Sequence, residues 1–198
     1  MDTIREKYNR VSKRYNLMEI PMELTVFPGW RKEVQRELRG PLVLEVGVGT
    51  GKNIPYQHPD RTVVAFDISE GMMSKIDRDQ RENLHLLQMD AEQIGFPDNT
   101  FDSVFDTFVF CSVPGAVEGL REISRVLKPG GRFVALEHMR PENNLAGKLF
   151  DLADPIMSAS SGVHVNRRTE KNIETAGFKI KEVRHLLTSV VRLIVAEK

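Results

Sequence analysis

The residues best suited to chemistry are Glu45-Val46-Gly47-Val48-Gly49-Thr50-Gly51, with glycines at alternate positions behind an acid. Glycine lacks a Cβ, so such a turn lets the main chain approach a ligand, and a helix that follows presents unpaired N–H groups at its start. This is the chemistry of a nucleotide-binding turn, and spacing narrows the kind. A phosphate-cradling G-x-x-x-x-G-K-[ST] loop fails twice, because Val46 stands where its first glycine belongs and Asn53 where Ser or Thr belongs. The dinucleotide fingerprint G-x-G-x-x-G/A also departs, with the third glycine one residue early and Lys52 in its place. Asp67 closes Val63-Val64-Ala65-Phe66-Asp67, twenty residues after Gly47. An acid there accepts hydrogen bonds from the hydroxyls of an adenosine ribose.

These residues must be positioned by strands and helices. Leu42-Val43-Leu44-Glu45-Val46 is a near-continuous apolar run ending at glycine, as expected of a buried parallel strand. Similar runs at 62–66, 84–89, 103–109 and 132–137, with helix-compatible stretches between most of them, predict βαβ units. The fold class is α/β, a doubly wound, Rossmann-like and mostly parallel sheet. A helix over 169–176 stopped by Gly177, then strands over 178–186 and 190–196, predict a closing antiparallel hairpin. Ahead of the core, Ile4, Tyr8, Val11 and Tyr15 recur at helical steps over residues 2–16. Pro21 interrupts the next apolar stretch, Pro28-Gly29 marks a turn, and 30–39 is a second helix. After Pro141, a helix over 145–157 gives way to Ser158-Ala159-Ser160-Ser161-Gly162, read as a mobile loop. The chain is expected to be one domain, residues 1–198, with a helical lid over 1–40 and the core over 41–198.

Three further segments accompany the glycine turn and Asp67 in fixed order: Met89-Asp90-Ala91-Glu92, Phe101-Asp102-Ser103-Val104 and Leu127-Lys128-Pro129-Gly130-Gly131. With them, the span Leu42–His138 resembles the class I S-adenosylmethionine-dependent methyltransferases, of the type 11 kind. The resemblance implies S-adenosylmethionine as cofactor, leaving as S-adenosylhomocysteine. It implies Glu45, Gly47, Gly49 and Gly51 around the methionine moiety, Asp67 at the ribose, Ile68 and Met72 flanking the adenine, and Asp90 with Ala91 at the adenine amino group. Thr107 and Phe108 would border the reacting methyl, Phe108 serving equally as core packing.

Within that family three subfamilies are similar: phosphatidylethanolamine N-methyltransferases, quinone-ring C-methyltransferases and alkyl-thiol methyltransferases. Tyr8 and Tyr15 resemble the tyrosine helix that closes over the cofactor in the lipid and quinone enzymes. Phe110-Cys111-Ser112-Val113 and Glu137-His138 resemble the thiol enzymes. The acceptor is thus a small or lipid-like molecule, methylated at N, S or C, with a lean toward a phospholipid amine. A cofactor-binding regulator without catalysis is the reading from another class. An acceptor that must lose a proton needs a base, and His138 follows the fifth strand, where substrate contacts gather; a hydrogen-bonded structural histidine is the alternative. Tyr8, His164 and Arg167 are the candidate substrate contacts, with Arg167 and Arg168 gripping an anionic group or solvated at the surface.

Composition sets the outer bounds. Lys plus Arg and Asp plus Glu each total 28, so no global basic field recruits nucleic acid. The segment 5–14 nevertheless carries five basic residues against Glu6, an excess suited to an anionic membrane surface. Cys111 is the only cysteine, which excludes an internal disulfide and a tetrahedral cysteine metal centre, and no metal is expected. With no signal-peptide pattern or membrane-spanning apolar run, the expected location is cytoplasmic, at most peripheral to a membrane.

Overall fold

The computed structural model describes residues 3–77 and 81–198, apart from the side chains of Val11, residues 13–20 and residues 160–161. Seven strands build one sheet: β1 (Leu42–Val46), β2 (Thr62–Asp67), β3 (Leu84–Gln88), β4 (Phe101–Thr107), β5 (Leu127–His138), β6 (Lys179–Leu187) and β7 (Val191–Glu197). Their order is β3-β2-β1-β4-β5-β7-β6. All pairings are parallel except those of β7, which runs antiparallel to both β5 and β6. The expected sheet and its C-terminal hairpin are thus both present.

Strand alternation sorts the core into two layers. Leu44, Val46, Val104, Phe133 and Ala135 face one side, where α4 (Ala116–Val126) covers them with Leu120 and Ile123. Val43, Val63, Ala65, Phe105, Val134 and Leu136 face the other, under Trp30 and Val34 of α2 (Phe27–Glu37). Strand order reverses at β1, whose neighbours are β2 and β4. In an open α/β sheet that reversal leaves a crevice beyond the carboxyl ends of the strands.

The helices differ from expectation at three places. First, α1 (Ile4–Glu23) continues beyond Asn16 and through Pro21, which lies in its closing turns. Second, α2 starts at Phe27 rather than Trp30, with Pro28 in its first turn, where the missing N–H removes no helical bond. Third, the segment expected to be a mobile loop is the end of α5 (Asn144–Ser161). Serine and alanine tolerate the helix, and it stops only at Gly162, whose φ of 81° is the left-handed cap that glycine supplies. The short helices α3 (Glu70–Met73) and α6 (Thr169–Thr175) complete the set. Among the described residues no helix is long and apolar enough to cross a membrane.

Candidate active site

The crevice holds a cavity between the ends of β1, β2, β3 and β4 and the underside of α1. Its first wall is the glycine turn. Gly47 has φ +67°, and a Cβ there would stand 2.4 Å from Val109 Cγ2, so only glycine fits between β1 and the chain leaving β4. Val48 N donates to Phe66 O at 2.9 Å, which pins the turn to the end of β2. Asp67 follows at once. Its Oδ2 accepts from Gly49 N at 2.9 Å and its Oδ1 from Ser69 N at 2.8 Å. Burial raises the Asp67 pKa and these main-chain donors oppose the rise. Each carboxylate oxygen has a second lone pair, so the group remains able to accept from a ligand.

Ile68 and Met72 continue this wall, and Asp90, Ala91 and Glu92 form the facing one after β3. Asp90 Oδ1 accepts from Glu92 N at 2.9 Å, so this carboxylate too is aimed by its own backbone. Thr107 and Phe108 close the floor. The fourth strand ends at Thr107, two residues earlier than expected, because Phe108 adopts φ +59°, a left-handed turn that no aromatic residue takes without support. That support is Glu137. Its Oε1 accepts from Val109 N and Phe110 N, both at 2.7 Å, and its Oε2 from Cys111 N at 3.2 Å. Asp106 lies beside it. Burial and the Glu137 charge push Asp106 well above the usual carboxylate range, and burial raises Glu137 too, against the pull of its three main-chain donors. The sequence reading quoted Glu137 only as part of a motif; its inward orientation in β5 makes it the clamp of the floor.

Over the top, Ile4 and Tyr8 of α1 line the same cavity. Tyr8 Oη and Ser112 Oγ are 2.6 Å apart, and burial drives the phenol pKa further up, so Tyr8 stays neutral. Asn9 Oδ1 accepts from Ser69 Oγ at 2.6 Å and Gly71 N at 3.1 Å, fastening α1 to α3. From sequence, Ile4 stands only in the helical periodicity and Ser112 only within a quoted motif, and Asn9 is not singled out. Asn9 sits beside Tyr8, and nothing in the spacing shows that its amide, rather than a ring, latches the helix.

Of the residues proposed for the cofactor, Gly47, Gly49, Asp67, Ile68, Met72, Asp90, Ala91, Thr107 and Phe108 come together here, as does Tyr8 from the substrate group. The side chain of Tyr15 lies outside the described residues. Glu45 and Gly51 do not line the cavity. The side chain of Glu45 points to the α2 side of the sheet, the side of its strand neighbour Val43, where Asn53 Nδ2 and Gln57 Nε2 each donate to it at 2.7 Å. Burial pushes its pKa up to about 7, against the pull of Asn53 and Arg31. Arg31 joins Asn53 Oδ1 at 2.7 Å to Glu23 Oε1 at 2.6 Å, so Glu45 belongs to a buried polar chain tying the end of α1 to the glycine turn. Gly51 packs instead, since a Cβ there would be 2.7 Å from Ile54 Cδ1.

His138, the candidate base, does not line this cavity. It stacks on Phe108 with centroids 4.3 Å apart and stands behind that ring, outside the cavity lining. Burial lowers its pKa to about 4, so it is neutral near pH 7. Phe27 adds a tilted ring contact to Phe108 at 5.2 Å, so the floor is part of an aromatic cluster. His164 Nδ1 pairs with Asp154 Oδ2 at 2.9 Å, and its main-chain N donates to Cys111 O at 2.8 Å. Arg167 Nη2 donates to Val113 O at 2.9 Å. Both brace the outside of the 108–114 turn instead of lining the cavity. No group of three or more His, Cys, Asp or Glu able to hold a metal occurs among the described residues.

Comparison with known proteins agrees with this arrangement. Residues 44–135 match the family model described as a methyltransferase domain. Ubiquinone/menaquinone biosynthesis C-methyltransferase UbiE of Pseudomonas entomophila is 34% identical over 160 residues, covering 75% of this chain and 62% of that protein. Its counterpart in Hahella chejuensis is 29% identical over 217 residues, covering 94% and 87%. The chain thus spans about 62% of the length of the Pseudomonas relative it matches. Among solved structures, an S-adenosylmethionine-dependent methyltransferase of Thermotoga maritima superposes with a TM-score of 0.73 at 17% identity, over 97% of this chain and 98% of that one. The [4+2]-cyclase SpnF superposes with a TM-score of 0.72 at 17% identity, over 85% and 79%, so likeness at this level speaks for the fold alone. The matched family model, the relatives and the arrangement of Gly47, Asp67 and Asp90 around one crevice together support a class I S-adenosylmethionine-dependent methyltransferase.

Proposed function

We propose that this chain methylates a ring carbon of a quinol-type acceptor, with S-adenosylmethionine as the donor. The observation that carries the donor is Asp67, a buried carboxylate already oriented by Gly49 N and Ser69 N at the wall of a cavity that Gly47 keeps open. The residues present fit an adenosyl sulfonium compound. Asp67 would take the ribose, Ile68 and Met72 the faces of the adenine, Asp90 its amino group, and the Gly47–Gly49 turn the amino-acid end. When bound, that compound supplies an activated methyl on a positively charged sulfur.

The protein's contribution is then positioning and exclusion of water. Tyr8 and Ser112 close the cavity above, Thr107 and Phe108 set its floor, and Glu137 holds that floor rigid. A neutral His138 behind Phe108 preserves the stack without adding charge. The acceptor reading rests on the relatives, whose names specify quinone C-methylation at 34% and 29% identity. The aromatic floor suits a flat ring. Nothing comparable supports the phospholipid amine favoured from sequence. A labelled-methyl assay offering a demethylated quinol, an alkyl thiol and a phospholipid amine in parallel tests this reading. Transfer to the quinol is expected, and transfer to the thiol or amine alone would replace it.

A further inference from the structure

The helix α5 is built inside out. Among its described side chains only Gly147 and Asp154 are buried, while Leu145, Leu149, Leu152 and Ile156 are exposed by 72%, 60%, 76% and 74%. At about 100° per residue these four fall within about 60° of arc, a continuous stripe roughly 17 Å long. A surface helix of a globular protein turns such a stripe inward. Here the inward side is polar. Asp151 pairs with Arg140 at 2.9 Å, and Asp154 accepts from Val165 N at 2.8 Å and bonds His164. Gly147 has no side chain, and the Arg140 guanidinium fills the space beside it.

Charge says what covers the stripe. Both acids of α5 are consumed on its inner side, which leaves exposed Lys148 as the charge flanking the leucines. Lys7 of α1 reaches Ser158 O at 3.1 Å, and a Cβ on Gly162 would touch Ile4, so the basic end of α1, with exposed Arg5 and Arg10, adjoins the C-terminal half of α5. Glu6 is engaged by Thr3 N at 2.8 Å, and Glu142, ahead of α5, by Arg192 at 3.2 Å. A second copy would set this cationic border against itself. We infer that the Leu145–Ile156 face of α5 lies in the interface of an anionic bilayer, with the Arg5–Arg10 end of α1 against the headgroups. An apolar stripe flanked by cations is what an interfacial helix requires.

The inference stands apart from the choice of acceptor. The test is sedimentation with vesicles of phosphatidylcholine containing about one-third phosphatidylglycerol, comparing the intact chain with a Leu149→Gln/Leu152→Gln variant. The intact chain is expected to sediment, and the variant to lose at least about tenfold in vesicle affinity, at unchanged thermal midpoint and unchanged S-adenosylmethionine affinity by calorimetry. Equal sedimentation of both, or none by the intact chain, overturns the inference. So does equilibrium ultracentrifugation showing self-association that the variant abolishes without vesicle binding, which would assign the stripe to a second copy. Calorimetry separates these outcomes from failure of the proposed reaction, since a chain that binds no S-adenosylmethionine fails there whatever it does with vesicles.

Discussion

The two sides of the cavity are made in different ways. The lower side, at the ends of β1 to β4, is held by main-chain donors: Gly49 N and Ser69 N on Asp67, Glu92 N on Asp90, and three consecutive N–H groups on Glu137. The upper side, α1, is held by single side-chain contacts, Tyr8 to Ser112, Asn9 to Ser69 and Gly71, and Glu23 to Arg31. A side fixed by backbone resists distortion because its donors move only with the sheet. A side fixed by side chains can open one contact at a time, as a lid over a bound ligand must. On the proposed reading, rigidity lies where the donor molecule would be oriented, and adjustability where an acceptor would enter.

The largest effect should come from removing the clamp of the rigid side. Glu137→Ala strands three N–H groups at the buried end of the sheet, so a loss of about 3–5 kcal/mol in chemical unfolding is expected. A loss below about 1 kcal/mol would show that the Phe108 turn holds itself. Next, Asp67→Ala should weaken S-adenosylmethionine by about 1–3 kcal/mol in calorimetry through lost charge-assisted bonds. Unchanged affinity removes Asp67 from the ribose.

A third test uses pH. Burial holds His138 at about 4 in the folded protein, against 6.5 for the ordinary imidazole. The unfolded chain therefore binds the extra proton first, and stability present above the unfolded value is lost as pH falls from about 6.5 toward 4. Glu45 acts in the opposite sense. Raised to about 7 from 4.5, it favours the folded state more as pH falls through that window, so the difference between two proteins is the useful quantity. His138→Phe should lose about 1–3 kcal/mol less than the parent between neutral pH and pH 4. Identical pH profiles would mean His138 titrates as an exposed group. The smallest effect is expected on the adjustable side. Tyr8→Phe removes one hydrogen bond worth about 0.5–1.5 kcal/mol and should raise KM for S-adenosylmethionine by a few-fold, with the thermal midpoint nearly constant. A fall in stability as large as that of Glu137→Ala would erase the contrast between the two sides.

The sheet was legible because its signals are local: apolar runs of strand length, glycine after the first of them, and an acid twenty residues beyond Gly47. Nine of the proposed cofactor contacts fall on one cavity for the same reason, being strand ends that a doubly wound sheet brings to one edge. Glu45 and Gly51 sit within the same motif yet turn away, because alternation along β1 sends Glu45 under α2 and the tightening turn folds Gly51 onto Ile54. A motif specifies residue types, and the direction of each side chain depends on which face its neighbours cover.

By itself, then, the sequence determined the α/β class, the glycine turn, the acids after β2 and β3, and the family those features share. Only the tertiary structure decided that His138 stacks on Phe108 outside the cavity lining, that Glu137 clamps the turn, that Asn9 latches α1 to α3, and that α5 wears its leucines outward. Each of these depends on pairs far apart in the chain, such as Tyr8 with Ser112 and Lys7 with Ser158. Periodicity reports how a segment is patterned; whether the patterned face is buried depends on what the rest of the chain places against it.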